Sequence, residues 1–254
     1  MTGLVRAEFR RVLSRMLFRV LLVVVLGLTV FVCVIVFLKA RHVAYGTALV
    51  IGFGVASGVL FTLGVVVGAS FVGAEWNSGS MSTLLTWEPR RGRVLAAKLV
   101  AAVVTTMAVS LVVLAIVVLL LLPSAALHGT TSGVPWWTLA GVGVRIGTVT
   151  AIGAALGVGL ASLMRSAAGP IATWLIFQFV ASPALILWKR WLVRWLPDGI
   201  IRQFVSLEGT IRASVNGVPF SFGGNVLRGG LLLAAYALAL VAAGYSAFRA
   251  RDVT

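Results

Sequence analysis

The 254-residue chain is 60% hydrophobic and 11% charged, with a mean hydropathy of +1.09. A soluble domain carries about 25% charged residues, so the composition excludes an ordinary soluble protein and indicates a polytopic membrane protein. The net charge of +15 does not indicate nucleic-acid binding, because the cations lie at the ends of apolar runs, where anionic lipid headgroups are their expected partners. Cys33 is the only cysteine, which excludes an internal disulfide and a cysteine-ligated metal site.

The first polar segment, residues 4–19, predicts an amphipathic basic helix on a membrane surface. Its apolar residues recur at helical spacing, with arginines on the other side: Val5, Phe9, Val12, Leu13 and Met16 against Arg6, Arg10 and Arg15. A simple positive flank to an anchor is an equally good reading of this segment. The apolar run that follows exceeds the length of a signal-peptide core, so we expect it to stay as an anchor.

Six apolar runs are each long enough to cross a hydrocarbon core of about 30 Å as a helix. The predicted spans are residues 17–38, 47–73, 96–122, 137–164, 169–188 and 226–248. No internal repeat or linker divides the chain, so a single all-α transmembrane domain over residues 1–254 is expected.

The distribution of cations predicts that both termini lie in the cytoplasm. That orientation places most of them inside: Arg6, Arg10, Arg11, Arg15, Arg19, Arg90, Arg91, Arg93, Lys98, Arg165, Arg249 and Arg251. Seven lie outside: Lys39, Arg41, Lys189, Arg190, Arg194, Arg202 and Arg212. Five of these seven fall in one long loop, where the rule is weak.

Residues 73–98, between spans two and three, are the most polar short stretch of the chain and would be cytoplasmic. Met81, Leu84 and Leu85 share one helical face, whereas Ser82, Thr83 and Thr86 take the other. Glu75 would favour a nearby helix start, and Pro89 should end the short helix and begin the next one. We therefore predict a two-turn helix at about residues 80–87, outside the membrane and joined rigidly to two spans.

The stretch resembles the cytoplasmic loop of ABC-2 type transporter permeases. That family's pattern is an acidic residue, Gly-Thr, paired leucines, proline, a basic residue and lysine, between the second and third of six spans. Here the corresponding residues are Glu75, Gly79-Ser80, Leu84-Leu85, Pro89 with Arg90/Arg91, and Lys98. Ser80 replaces the usual threonine, and Trp87-Glu88 replaces a smaller or more polar pair.

The resemblance implies the membrane subunit of an ABC exporter in a bacterial plasma membrane, with two separate cytoplasmic ATPase subunits and a second permease copy or related chain. ATP and magnesium would be bound by the ATPase subunits, because the chain lacks G-x-x-x-x-G-K-[ST] and is not expected to be an enzyme. Residues 80–87 would be the coupling helix. The residues implied in coupling are Glu75, Ser80, Met81, Leu84, Leu85, Pro89, Arg90, Arg91 and Lys98.

Within the spans, four residues are candidates for a translocation pathway: Arg145, Gln178, Ser182 and Pro183. An arginine at membrane depth needs a partner; for Arg145 the options are Asp198, Glu208, a backbone carbonyl, a lipid phosphate, an anionic substrate, or snorkelling to headgroups. Pro183 should bend span five, and Gln178 could face a cavity or a neighbouring helix. The pairs Gly54/Gly58, Gly64/Gly68 and Gly153/Gly157 should allow close helix packing.

The segment 189–225 is too polar to span a membrane and too apolar for a free loop. Interfacial or re-entrant helices are expected there. In the resembling family this segment caps the outer end of the pathway, although an inert interfacial hairpin is equally consistent with the residues.

Three other functions compete with this one. An intramembrane protease would need a polar constellation within the spans, and none is predicted there. An ion-coupled transporter or channel usually relies on intramembrane carboxylates, and the predicted spans contain none. A non-transporting scaffold or immunity subunit stays open.

Overall fold

The structure, a computed structural model, describes residues 2–39, 45–87, 90–128, 135–206, 211–215, 218–222 and 225–250. Ten helices occur in these ranges: α1 Thr2–Ser14, α2 Met16–Lys39, α3 Tyr45–Asn77, α4 Ser80–Trp87, α5 Arg91–His128, α6 Trp136–Met164, α7 Ala168–Ile176, α8 Ser182–Trp188, α9 Pro197–Val205 and α10 Val226–Ala250. A π-helical turn, Phe177–Ala181, joins α7 to α8, and a 3₁₀ turn, Arg190–Arg194, follows α8.

Six of the helical segments are long and apolar enough to cross a membrane: α2, α3, α5, α6, α7–α8 and α10. This confirms the predicted multi-pass architecture. Because the number of crossings is even, α1 and the end of α10 lie at the same end of the bundle. Contacts agree, since the Trp76 ring near the end of α3 meets the Phe248 ring near the end of α10 edge-on, with 5.8 Å between centroids.

Helices α3 and α6 form the centre of the bundle because glycines let their backbones touch. A Cβ added to Gly64 or Gly68 would overlap carbonyl oxygens of α6, and one added to Gly157 would overlap the carbonyl of Val65. Gly54, by contrast, faces open space. The pairs Gly64/Gly68 and Gly153/Gly157 thus serve packing within one chain, whereas Gly54/Gly58, also on α3, does not.

The remaining spans surround this centre and expose much of their apolar surface. Most of α2, α7–α8 and α10 is unburied, which is the pattern expected of helices that face lipid. A bend is predicted at Pro183, and a π-helical turn immediately precedes α8, the helix in which this proline is the second residue. A π-bulge inside a helix is a recognised cause of such a change in direction.

The segment after α8 contains expected helices and, in addition, a pair of strands. The 3₁₀ turn and α9 are followed by an antiparallel hairpin, β1 Ile211–Val215 and β2 Val218–Phe222. Within the described residues the fold is helical, as predicted, apart from this hairpin. The sequence between the two strands is Asn216-Gly217, the strongest short-range hairpin signal, and a hairpin is one of the two alternatives that the sequence leaves open here.

A second difference concerns the boundary of α3. This helix continues to Asn77, four residues beyond the predicted end of span two, so Glu75 lies in its last turns. The helix start that Glu75 was expected to favour, that of α4, follows five residues later at Ser80. The predicted spans contain no carboxylate, but the observed second span extends to Asn77 and therefore includes Glu75.

Candidate functional site

The polar stretch begins with a sharp turn between α3 and α4. The backbone N–H groups of Ser78 and Gly79 donate to the carbonyls of Ala74 and Trp76, at 3.0 and 3.2 Å. Gly79 has φ +68°, a left-handed conformation that glycine adopts without the steric cost of a Cβ. Only Ser78 and Gly79 separate the two helices, so α4 begins directly after the end of α3.

Helix α4 turns its apolar face towards the bundle. Met81 is buried in the core, and Leu84 is half-buried and packed against it. Ser80, Thr83 and Thr86 are exposed. The helix therefore presents hydroxyl groups outwards, while Met81 fastens it to the protein. Of the other residues implied in coupling, Pro89 and the side chains of Leu85 and Arg91 lie outside the described residues.

Beside the cleft that α4 borders, five acidic and basic side chains form a cluster that joins α1, α3 and α5. Lys98 Nζ donates to Glu75 Oε1 at 2.7 Å and to Glu8 Oε2 at 3.0 Å. Arg11 pairs with Glu8 at 3.2 Å, and Arg15 pairs with Glu75 at 3.5 Å. We call Glu8, Arg11, Arg15, Glu75 and Lys98 the charge cluster; it contains three cations and two carboxylates.

The charge cluster is graded from a buried centre to an exposed edge. The Lys98 side chain is 0% exposed and that of Glu8 is 1% exposed, whereas that of Arg11 is 50% exposed. Lys98 and Arg15 also lie over the Phe71 ring, at 4.8 and 5.0 Å from its centroid, a geometry that favours cations. Burial lowers the pKa of Arg15, and the carboxylates of Glu75 and Glu8 oppose that shift.

Such a cluster fixes the relative positions of the elements that carry it. A buried charge is costly unless it is paired, and loss of one partner leaves the other uncompensated. The hydrogen bond from Arg15 Nη1 to the carbonyl of Ser70, at 3.0 Å, adds a direct tie from the α1–α2 junction to α3. The ends of α1, α3 and α5 should therefore move as one unit, with α4 attached to it.

The sequence predicts only two members of the charge cluster as site residues, Glu75 and Lys98. The resemblance implies Glu75 and Lys98 in coupling, and the structure places them in direct contact. Arg90 is exposed, and its carbonyl accepts the N–H of Arg93 at 2.9 Å at the start of α5. Glu8 was missed as a site residue, although it is the only carboxylate among the first 74 residues and shares a helical face with Arg11 and Arg15 by i, i+3, i+7 spacing.

A cleft of about 860 Å³ opens between α1, the end of α3 and α4, next to the charge cluster. Its lining includes the cations Arg11 and Arg15, the carboxylate Glu75, and four hydroxyl residues, Ser14, Ser78, Ser80 and Thr83. The cleft is thus the most polar recess beside the predicted coupling helix.

The four pathway candidates lie in different surroundings. Arg145 Nη1 donates to the carbonyls of Ser206 and Phe204, at 3.3 and 3.5 Å, so a backbone carbonyl is the partner that the structure shows. Ser182 is buried, Gln178 is half-buried and Pro183 is exposed. The described contacts of Arg145 connect it to the end of α9 and not to these three residues. Whether any of them lines a pathway stays a prediction.

Within the described residues, no group of three or more His, Cys, Asp or Glu side chains could hold a metal ion. The six long apolar helices define the chain as a multi-pass membrane protein. No protein-family model matches the chain, and no curated protein matches it.

Proposed function

We propose that this protein is the permease subunit of an ABC exporter, driven by two separate ATPase subunits. The observation that carries the proposal is the short helix α4, which lies between the second and third spans, is anchored to the core by Met81 and borders the same cleft as the charge cluster. Its position and the residues Glu75, Gly79-Ser80, Leu84-Leu85 and Lys98 support the resemblance to ABC-2 type permeases. A second permease copy or a related chain would complete the pathway.

The geometry suggests how force would pass through this region. Closure of the ATPase subunits on ATP and magnesium would push on the exposed side of α4. Met81 anchors the helix to the core, and the two-residue turn at Gly79 leaves little slack before α3. Because Lys98 bridges Glu8 and Glu75, the push would reach α1, α3 and α5 together and favour a change between inward- and outward-facing packings.

Orientation and location follow from the same proposal. The end of the bundle that bears α1 and α4 would be cytoplasmic, with both termini on that side, in a bacterial plasma membrane. The direction of transport, outwards, comes from the resemblance. The alternatives are a stand-alone channel or secondary transporter, and a non-transporting scaffold or immunity subunit.

Co-purification tests the proposal. A C-terminal tag and mild detergent are used to isolate the protein from its native membranes, and ATP hydrolysis and co-purifying proteins are measured. We expect a co-purifying subunit that has a Walker motif. Thr86→Glu, which adds a charge to the exposed side of α4, should reduce its recovery, and so should Leu84→Asp or Leu85→Asp, while all six spans stay inserted.

Arg202→Glu provides the matched control, because Arg202 is exposed on α9 in the segment after span five, which the proposal places on the opposite side of the membrane. It should leave the recovery of the ATPase unchanged. Absence of any ATPase partner under several gentle conditions would favour a channel or scaffold instead. Full recovery and ATP-driven efflux with the Thr86 and Leu84 variants would show that α4 is not the docking helix.

A further inference from the structure

The cleft beside the charge cluster lies at the depth of lipid headgroups. Arg15 lies at the junction of α1 with the apolar helix α2 and donates to the carbonyl of Ser70. Ser70 precedes the end of α3 at Asn77 by seven residues, or about 10 Å at 1.5 Å per residue. The cleft therefore opens between a surface helix and the final turns of a span, where the headgroups of one leaflet are expected.

One side of the cleft suits a phosphate group. The side chains of Arg11 and Arg15 are 50% and 25% exposed, so both keep surface available beyond their ion pairs. A guanidinium presents a planar set of donors that matches phosphate oxygens. Hydroxyl groups surround these cations in the lining, from Ser14, Ser78, Ser80 and Thr83, and each can donate a further hydrogen bond.

The Glu75 carboxylate in the same lining requires a hydrogen-bond donor, which a simple anion does not supply. Glu75 is the only acidic residue lining the cleft among the described residues. Its Oε1 accepts from Lys98 at 2.7 Å, whereas its Oε2 is buried without a hydrogen-bond partner in the described part of the chain. A buried carboxylate oxygen without a donor is costly. A ligand that carries an N–H donor beside its phosphate would satisfy it.

We infer that the cleft binds the headgroup of an aminophospholipid, in which a phosphate and a primary ammonium are two carbons apart. The phosphate contacts Arg11 and Arg15, and the ammonium donates to the second oxygen of Glu75. A zwitterionic headgroup matches a lining that combines two cations with one carboxylate, whereas a purely anionic headgroup would meet Glu75 unfavourably. The lipid would lie against the region that holds α4, and its binding requires no ATPase subunit.

The test uses the purified, delipidated full-length chain in detergent and short-chain lipids, with bound lipid counted by native mass spectrometry. Dioctanoyl phosphatidylethanolamine is compared with phosphatidylcholine, whose ammonium has no N–H, and with phosphatidylglycerol, which has no ammonium. We expect the ethanolamine lipid to bind about tenfold more tightly than either, as one charge-assisted hydrogen bond implies. Soluble O-phosphoethanolamine should compete only weakly, because a lipid site also gains affinity from acyl chains.

Two pairs of variants locate the site. Arg11→Gln should weaken binding of the ethanolamine lipid about tenfold through loss of a phosphate contact, whereas Arg10→Gln, on the same helix and with the same charge change, should not. Thr83→Asp, which adds an anion to the lining, should weaken binding, and Thr83→Asn should not. Circular dichroism checks that each variant is folded.

Several outcomes would overturn the assignment. Equal binding of the three lipids, or tighter binding of phosphatidylglycerol, would show that Glu75 does not bind the ammonium of the lipid. Competition by O-phosphoethanolamine as strong as by the lipid would make this a site for a soluble phosphate compound. Equal effects of Arg11→Gln and Arg10→Gln would place the lipid elsewhere. Because no ATPase is present in the assay, none of these results would count against the proposed transport function.

Discussion

Lys98→Met tests whether the charge cluster holds the end of the bundle together. Lys98 is fully buried, and its Nζ is 2.7 Å from Glu75 and 3.0 Å from Glu8. Methionine fills a similar volume but removes the cation, so the two carboxylates would keep only Arg11 and Arg15 as partners, at the edge of the cluster. Breaking a buried ion pair in this way costs about 3–5 kcal/mol. The unfolding equilibrium constant should therefore rise at least about a hundredfold.

The free energy of unfolding can be measured by titrating the protein with sodium dodecyl sulfate in mixed micelles and following tryptophan fluorescence. Arg93→Met is the matched control, because Arg93 is an exposed cation on the same helix, and it should change stability by no more than about 0.5 kcal/mol. The triple variant with Glu8→Gln and Glu75→Gln added should be more stable than Lys98→Met alone, because the two buried carboxylates are replaced by neutral amides. Equal effects of Lys98→Met and Arg93→Met would refute the reasoning.

Two further predictions concern the bundle away from the charge cluster. Gly157→Ala should destabilise the protein by about 1–3 kcal/mol, because the added Cβ would overlap the Val65 carbonyl. Gly58→Ala is the control: its Cβ meets no neighbour, so its free energy of unfolding should be unchanged or slightly higher in the same assay. A similar loss of stability in both variants would contradict this prediction. Arg145→Gln should speed hydrogen exchange at the end of α9 about tenfold, because it weakens the contacts with the carbonyls of Phe204 and Ser206. Arg202→Gln should not speed this exchange. Unchanged exchange with Arg145→Gln would show that this arginine does not hold α9.

The spans were the most predictable part of the fold, since long apolar runs have few alternatives in a membrane protein. Their ends were less predictable. Residues 74–77 are polar enough to resemble a loop, yet α3 continues through them because Glu75 is neutralised by Lys98 from α5 and by Arg15. That pairing is made between residues distant in sequence, so local propensity could not show it.

The candidate site was predictable in outline only. The apolar face of α4, with Met81 and Leu84, could be read from helical spacing, but not the direction in which it points. Glu8 gave a usable signal, since it is an isolated carboxylate among arginines of an amphipathic helix. Its partner Lys98 lies 90 residues away, and only packing of α1 on α5 brings the two together. The hairpin signal Asn216-Gly217 was local and could have been used.

A crosslink from α4 tests the central proposal most directly. A photo-crosslinking amino acid is placed at residue 86 of the full-length chain, on the exposed side of α4, and native membranes are irradiated before solubilisation. We predict a covalent adduct with a cytoplasmic protein that contains a Walker motif, identified by mass spectrometry, and no such adduct from the same amino acid at residue 202. No protein adduct at residue 86, with intact insertion of the chain, would contradict the assignment of α4 as an ATPase-docking helix.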